Sequence, residues 1–183
     1  MPDPVSPLKG ATFDGFVKLR EIGPLGMITL RAKPGTPGLD AAIRAATGAA
    51  LPAPRRIERA GDAAAAWMSA DEYLLIVPHA QVAAALSALT DGLAGQHHLA
   101  ADVSDARAVF RVEGPKADQV LRKLTPADLS ALAPGEVRRS RLAQVAAAFW
   151  EQDGGYTVVT FRSVAGYAMG LLSHSAMAGS ELA

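Results

Sequence analysis

The 183-residue chain contains no cysteine, which excludes a disulfide framework, a thiolate nucleophile and a cysteine-bound metal. Aromatic residues make up only 5% of it, and 18 basic residues balance 18 acidic ones, so the formal net charge is zero. A nucleic-acid-binding domain normally carries a basic excess or a basic stripe. The one short basic run, residues 136–141, contains its own acid and is typical of solvated surface. We therefore expect no nucleic-acid partner.

Long hydrophobic runs are missing as well. No apolar segment approaches the ~20 residues that a helix needs to cross a bilayer. Residues 1–10 lack the basic start and the apolar stretch of a signal peptide. From these patterns we expect a cytoplasmic protein with no membrane partner.

The familiar catalytic motifs are absent too. The sequence has no G-x-G-x-x-G loop, no Walker loop, no H-E-x-x-H, no G-x-S-x-G and no EF-hand loop. His97 and His98 are neighbours in a predicted strand, so their side chains point to opposite faces and cannot share a metal. We predict no catalytic, cofactor-binding or metal-binding residue in this chain.

Two polar groups have competing interpretations. Asp102 and Asp105 flank Ser104, and a carboxylate pair can do acid–base chemistry. Short polar side chains fold chain corners more often, and we favour that role here. Ser163 is predicted to cap the last helix, with an anion bound at Arg162 and Ser163 as the alternative.

What the sequence does contain is a regular alternation of strand and helix patterns. In the central segment 102–124, Ala108, Phe110 and Val112 fall on one face of a strand, and Arg107 and Arg111 fall on the other. Residues 117–124 then carry apolar side chains at helical spacing. The segment therefore predicts a half-buried strand followed by a helix.

The predicted elements repeat in order along the chain. They are strand 26–32, helix 39–46, hairpin 63–68 and 72–77, helix 82–93 and strand 96–103, then strand 106–112, helix 117–124, hairpin 139–150 and 155–161, and helix 164–172. This order predicts an α+β fold of two tandem ferredoxin-like (split βαβ) units that share a core. We expect an N-terminal arm over 1–20, units over 21–103 and 104–177, and a frayed tail over 178–183.

An ordered set of four segments resembles the gamma subunit of heterotetrameric sarcosine oxidase. The segments are 67–75 (WMSADEYLL), 102–115 (DVSDARAVFRVEGP), 117–124 (ADQVLRKL) and 162–167 (RSVAGY). The likeness extends over about 22–172 and is weakest in the first third. The connector 124–130 departs from the family because it lacks the cysteine often found there.

The resemblance implies a fold like the folate-binding domain of glycine-cleavage T-proteins. It also implies a complex that demethylates sarcosine to glycine, passes the methyl group to tetrahydrofolate and forms hydrogen peroxide. The alpha and beta subunits would hold FAD, FMN, NAD and tetrahydrofolate, and the delta subunit would carry zinc. The gamma chain would be a non-catalytic partner of the alpha, beta and delta subunits, with no cofactor of its own.

Two other functions stay open from the sequence. The fold could itself bind folate or another small ligand, as a standalone carrier or one-carbon transferase, with Asp102, Asp105 or Glu72 supplying a buried acid. A small-ligand regulatory module is the second alternative.

Phe13, Phe16 and Trp150 lie at the predicted arm and beside a hairpin turn. We predict them at a partner interface, because aromatic residues are enriched in interface cores. An isolated chain would then self-associate through this apolar surface.

Overall fold

The computed structural model describes residues 4–182, which form eleven strands and four α-helices joined by short loops. In chain order these are β1 (Thr12–Asp14), β2 (Lys18–Ile22), β3 (Gly26–Arg31), α1 (Leu39–Thr47), β4 (Ile57–Ala60), β5 (Ala63–Ser69), β6 (Glu72–Val77), α2 (Val82–Gly92), β7 (Leu99–Asp102), β8 (Arg107–Glu113), α3 (Ala117–Arg122), β9 (Val137–Leu142), β10 (Val145–Gln152), β11 (Gly155–Phe161) and α4 (Ala165–Ser175). Three 3₁₀ turns occur at His79–Gln81, Ser104–Ala106 and Arg162–Val164.

The chain folds as two units, each built on one sheet. The six-stranded unit combines the chain up to Gly23 with the chain from Asp105 onward, and its sheet has the order β1-β2-β8-β11-β10-β9. The five-stranded unit is Pro24–Ser104, with the order β4-β5-β6-β3-β7. All neighbouring strands are antiparallel.

The six-stranded unit has its core between one face of the sheet and helices α3 and α4. Strand β8 lies between β2 and β11, and its apolar residues alternate toward the core as predicted. The strand is not half-buried, however, because Val109 and Arg111 on its other face are buried too. Ala108, Phe110 and Val112 are buried in this core with Leu121 of α3 and Leu172 of α4. Burying side chains of this size supplies most of the driving force for folding.

The five-stranded unit is built in the same way from β3, β6, α1 and α2. Its buried side chains include Leu30 and Leu75 from the sheet, Ile43 from α1 and Leu89 from α2. Helix α1 ends at the predicted glycine stop. Gly48 has a φ of 75°, and its N–H donates to the carbonyl of Arg44 over 2.7 Å.

The hairpin between β10 and β11 has the turn that its sequence predicts. Gln152 pairs with Gly155, so Asp153 and Gly154 form a two-residue loop. Both have positive φ, 46° and 69°, as a type I′ turn requires. Gly155 is required for another reason, since a Cβ there would lie 2.1 Å from the carbonyl oxygen of Val112.

The segment expected to be an arm differs from the sequence-based picture. Residues 1–3 lie outside the described residues, but β1 and β2 are strands of the six-stranded sheet. Lys18 of β2 pairs with Glu113 of β8, which follows the whole five-stranded unit in the sequence. Val17 and Leu19 are buried in the core. The described residues 4–20 therefore belong to the second unit, because β1 and β2 complete its sheet.

Two strands were also misjudged from the sequence. The single strand expected over 139–150 is two strands, β9 and β10, with a turn at Ala143 and Gln144. Ala143 adopts a φ of 51° there, and nothing in its residue type signals a turn. Strand β4, which pairs with β5, was not predicted.

The C-terminal tail is held in place where it is described. Lys123 donates to the carbonyl of Ser175 over 2.8 Å and also to the carbonyl of Ser180. The N–H of Leu182 donates to Gln119 over 2.9 Å. The tail is therefore not frayed as expected up to Leu182, and Ala183 lies outside the described residues. Within 4–182, no helix has the length and hydrophobicity to span a membrane.

Candidate functional site

The most elaborate polar arrangement is built on Glu21 of β2. Its side chain lies on the same face of the strand as Leu19 and is only 4% exposed. The carboxylate accepts hydrogen bonds from the Ser6 hydroxyl (2.9 Å), the Leu8 N–H (3.0 and 3.1 Å) and the Gly10 N–H (2.9 Å). A buried carboxylate needs this many donors to replace its lost hydration. Glu21 therefore fixes residues 5–10, which we call the N-terminal strap.

The strap has a second anchor at its beginning. One Nη of Arg162 donates to the carbonyl of Val5 over 2.9 Å. Arg162 lies in the 3₁₀ turn between β11 and α4. The strap is thus attached to the six-stranded unit at four of its six residues.

A cleft of about 650 Å³ opens where the strap meets this turn, and we call it the strap cleft. Its walls are Pro7, Ala106, Phe161, Arg162 and Ser163. Phe161 ends strand β11 and is 47% exposed. The guanidinium carbon of Arg107, its cross-strand neighbour, lies 4.5 Å from the ring centroid. This is a cation–π contact at the surface.

Ser163 does not cap helix α4 as predicted. The backbone enters the helix through the 3₁₀ turn Arg162–Val164, and Val164 occupies the N-cap position without a side-chain hydrogen bond. Ser163 sits inside that turn, so its hydroxyl is not placed against the first free N–H groups of α4. Its side chain forms part of the wall of the strap cleft instead.

Three charged side chains form a ladder on the opposite face of the six-stranded sheet. Arg20 donates to Glu113 through two bonds, of 2.8 and 3.3 Å. Arg111 is buried, donates to Thr157 (2.9 Å) and the Gln152 carbonyl (2.8 Å), and approaches Glu113 at 3.5 Å. The hydrogen bonds from Arg20 are the main reason that the pKa of Glu113 lies below its ordinary value. This ladder explains why β8 carries arginine on a buried face.

A second, smaller cleft of about 300 Å³ lies at the start of α3, and two of its eight wall residues are acidic. Asp118 and Glu151 face Tyr156 there, and Asp118 pairs with Arg122 at 3.1 Å. Burial raises the pKa of Tyr156, and the charge of Glu151 raises it further. The tyrosine phenol therefore stays protonated at neutral pH.

The pair Asp102 and Ser104 folds a corner, as we favoured from the sequence. One carboxylate oxygen of Asp102 accepts from both the N–H (2.9 Å) and the hydroxyl (2.5 Å) of Ser104. The Ser104 hydroxyl accepts in turn from the N–H of Met27 over 3.0 Å. Asp105 is exposed on the following turn. The two aspartates therefore do not share one site.

Glu72 is the buried acid of the five-stranded unit, and it is paired. Its carboxylate lies 3.3 Å from a guanidinium nitrogen of Arg31, its cross-strand neighbour. His98 lies in the loop before β7, with its Nδ1 3.0 Å from the Gln96 carbonyl. Among the described residues, no group of three or more histidine or acidic side chains is arranged to hold a metal ion.

The three aromatic residues predicted at an interface have different surroundings. Phe13 and Phe16 are half-buried against the core of the six-stranded unit, and Lys123 lies 5.0 Å above the Phe16 ring. Their interface role stays a prediction. Trp150 is only 2% exposed in the chain alone, and its indole N–H donates to Gln152 over 3.3 Å. A partner could gain little contact with it, so we no longer place Trp150 at an interface.

Glu21 and Phe161 were missed by sequence reasoning, and only Glu21 has a signal in the sequence that could have found it. In 17–21, Val17 and Leu19 alternate with polar residues, and Glu21 occupies the next position on the apolar face. An acid at such a position signals a buried, paired charge. Phe161 closes a strand beside an arginine and carries no comparable local signal.

Comparison with known proteins assigns the chain to a family. The model of the sarcosine oxidase, gamma subunit family matches residues 31–177. The chain belongs to the sarcosine oxidase gamma subunit family. It is 37% identical to sarcosine oxidase subunit gamma of an Arthrobacter species over 145 residues, covering 74% of this chain and 68% of that protein. The subunit gamma of Corynebacterium sp. strain U-96 is 42% identical over 116 residues, covering 62% of this chain and 55% of that protein.

Solved structures agree with this family assignment. A chain of the heterotetrameric sarcosine oxidase from Corynebacterium sp. U-96, in complex with pyrrole 2-carboxylate, is 30% identical with a TM-score of 0.80, covering 90% of this chain and 86% of that one. The glycine cleavage system aminomethyltransferase T from Bartonella henselae shares the fold at 13% identity, with a TM-score of 0.63, covering 86% of this chain and 45% of that one. The resemblance and the α+β fold predicted from the sequence are therefore confirmed.

Proposed function

We propose that this chain is the non-catalytic gamma subunit of a heterotetrameric sarcosine oxidase. Its partners would be alpha, beta and delta subunits that hold FAD, FMN, NAD, tetrahydrofolate and zinc. The complex would demethylate sarcosine to glycine, transfer the methyl group to tetrahydrofolate and form hydrogen peroxide. The observation that carries this proposal is the match to a chain of the Corynebacterium complex over nearly the whole length, at a TM-score of 0.80.

The geometry of the polar side chains supports a structural role. Glu21 holds a backbone segment, Arg111 ties neighbouring strands together, Glu72 pairs with Arg31 and Asp102 binds Ser104. Each of these groups has a partner that accounts for its position. The standalone folate carrier would need one of the acids Asp102, Asp105 or Glu72 inside a pocket. Neither described cleft has any of the three in its wall.

The test is to produce a tagged version of this chain together with the other subunits encoded by the same organism. We expect the tag to recover all four chains in equal amounts, and the complex to form peroxide from sarcosine. The isolated chain should show no flavin absorbance and no turnover. Recovery of the chain alone from cells that make all the subunits would refute the proposal. The cytoplasmic location expected from the sequence stays a prediction.

A further inference from the structure

The exposed apolar side chains of this chain are few. Among the described residues, the large ones are Val5, Leu99, Phe161, Tyr167, Met177 and Leu182. Two of them, Val5 and Phe161, belong to the strap and to the wall of the strap cleft. Tyr167 carries a hydroxyl group, so Phe161 has the largest purely apolar side chain among them. Exposed aromatic residues of this kind are the usual anchors of protein interfaces.

The surface around Phe161 is held in a fixed shape. Glu21 binds three positions of the strap, and Arg162 binds a fourth. Glu21 is itself buried, so its effect on a partner would be indirect, through the strap that it positions. A surface that is already ordered loses less entropy when a partner binds. The strap cleft is therefore better prepared for docking than an isolated exposed side chain such as Leu99.

The charges at the strap cleft are mainly positive. Arg162 belongs to its wall, and Lys9 and Arg107 lie within two residues of wall positions in the sequence. The acids nearby are Asp105 and Glu21, and the carboxylate of Glu21 is buried under the strap that it binds. A guanidinium has five N–H donors, and Arg162 uses one of them for the Val5 carbonyl. Two copies of a positive patch would repel each other across a twofold axis, whereas an acidic partner surface would complement it.

We propose that the strap cleft is the surface on which another subunit of the sarcosine oxidase complex docks. That subunit offers an apolar pocket for the Phe161 ring, edged by carboxylates that accept hydrogen bonds from Arg162 and Arg107. Glu21 acts as a positioning residue by holding the strap in the docking conformation. This inference rests on the proposed function and deepens it, since it names the surface through which the gamma chain joins the complex.

The experiment compares Phe161→Asp with a matched control, Leu99→Asp, in cells that make all the subunits. Leu99 is 54% exposed and lies in the five-stranded unit, so the control adds the same charge at an equally open apolar site. We expect Phe161→Asp to lower the recovered partner subunits at least about tenfold, as loss of an interface anchor does. Leu99→Asp should assemble like the unsubstituted chain. Arg162→Met keeps apolar contacts but removes the charge, so it should weaken assembly at low salt and make the remaining assembly less sensitive to added salt.

Folding and assembly are separated by melting each isolated variant. Phe161→Leu keeps the apolar contact and should restore assembly. If Phe161→Asp fails to fold, Phe161→Ala replaces it with the same expected loss of partners.

The failures of the inference and of the proposed function are distinguishable. If the unsubstituted chain recovers no other subunit, the proposed function fails. If the unsubstituted chain assembles and the folded Phe161 variants assemble equally well, the inference is overturned and the function stands. A chain that dimerises through Phe161 while the variants still join the complex would also overturn it, because a second copy would then cover the cleft.

Discussion

The two units differ in the side chains that they bury. In the six-stranded unit the buried polar and charged residues are Ser6, Glu21, Arg111, Thr125, Glu136, Thr157, Thr160 and Ser175, whereas in the described part of the five-stranded unit they are Thr47 and Glu72. The five-stranded unit instead buries a run of alanines, Ala63–Ala66, in strand β5. The two units resemble each other in layout, yet only one of them depends heavily on internal polar contacts.

This difference follows from how each unit is connected. The five-stranded unit is one continuous stretch of chain, and local hairpins and helices close it. The six-stranded unit joins two distant stretches, so its N-terminal strands and strap need specific partners to stay in register. Hydrogen bonds to a charged group provide such partners, since each one is geometrically selective and strong. The contacts of Glu21 therefore specify where the N-terminal segment binds.

The largest difference in stability that we expect is between variants of the two tryptophans, one in each unit. Trp150 is almost fully buried, so Trp150→Ala should lower the free energy of unfolding by about 3–5 kcal/mol. Trp67 is half-buried at the edge of the other core, and Trp67→Ala should cost only about 1–2 kcal/mol. Urea unfolding followed by far-ultraviolet circular dichroism measures both. Equal losses would contradict the burial of Trp150.

The next effect concerns the strap. Glu21→Ala leaves the Ser6 hydroxyl and the N–H groups of Leu8 and Gly10 without their acceptor, which should cost about 2–4 kcal/mol. Glu58, a glutamate on strand β4 of the other unit, is the control, and Glu58→Ala should change stability by less than about 0.5 kcal/mol. Limited proteolysis should then cut the Glu21→Ala chain within residues 5–10 first. Cleavage in the five-stranded unit first would exclude this role of Glu21.

Sequence patterns predicted the five-stranded unit better than the six-stranded one. Helix α1 with its Gly48 stop, helix α2 and the β5–β6 hairpin all follow from spacing within a short window, and only β4 was missed. The N-terminal strands were missed because their partner is β8, whose position no local pattern reveals. Hydrophobic periodicity predicts the local secondary structure of a segment, but it does not predict which distant strand that segment pairs with.

The same limit applies to the candidate site. The Asp102–Ser104 corner was foreseen, because both residues lie within one turn and short polar side chains bind nearby backbone. The strap cleft was not, since it joins residues 7, 106 and 161–163 from three separate parts of the chain. Trp150 was misplaced for a related reason. Its nearness to a hairpin turn suggested an exposed edge, but the side chain is almost fully buried within the chain itself.

A smaller effect should destabilise the five-stranded unit more than the six-stranded one, the opposite of the two effects above. Gly92 ends helix α2, and a Cβ there would lie 2.9 Å from the Cβ of Ala42 on α1. Gly92→Ala should therefore cost about 1–3 kcal/mol through overpacking. Gly170, within α4 of the six-stranded unit, has open space around it, so Gly170→Ala should raise stability by about 0.5–1 kcal/mol. Thermal melting of the two variants decides this, and a stabilised Gly92→Ala would show that α1 and α2 can separate freely.

The smallest effect compares one surface ion pair from each unit by double-mutant cycles. Arg20 and Glu113 pair across strands through two bonds, and they should couple by up to about 1 kcal/mol. Arg44 and Asp40 pair along helix α1 at 3.4 Å, and they should couple by about 0.3–0.5 kcal/mol. Substituting all four residues with glutamine or asparagine completes the two cycles. If Arg44 and Asp40 couple more strongly than Arg20 and Glu113, the two-bond cross-strand geometry does not strengthen the ion pair.

The pH dependence of stability gives an independent test that the pairing of Glu113 with Arg20 stabilises the folded chain. Arg20 lowers the pKa of Glu113 in the folded chain below the unfolded value, so the folded state binds its proton less tightly. The stability from this pair should therefore be fully present above the ordinary glutamate pKa of about 4.3. It should disappear as the pH falls through the lower folded-state pKa of Glu113. The unfolding free energies of the unsubstituted chain and Glu113→Gln should converge in that acidic range, and a gap that instead widened with acid would show that the pKa of Glu113 is raised.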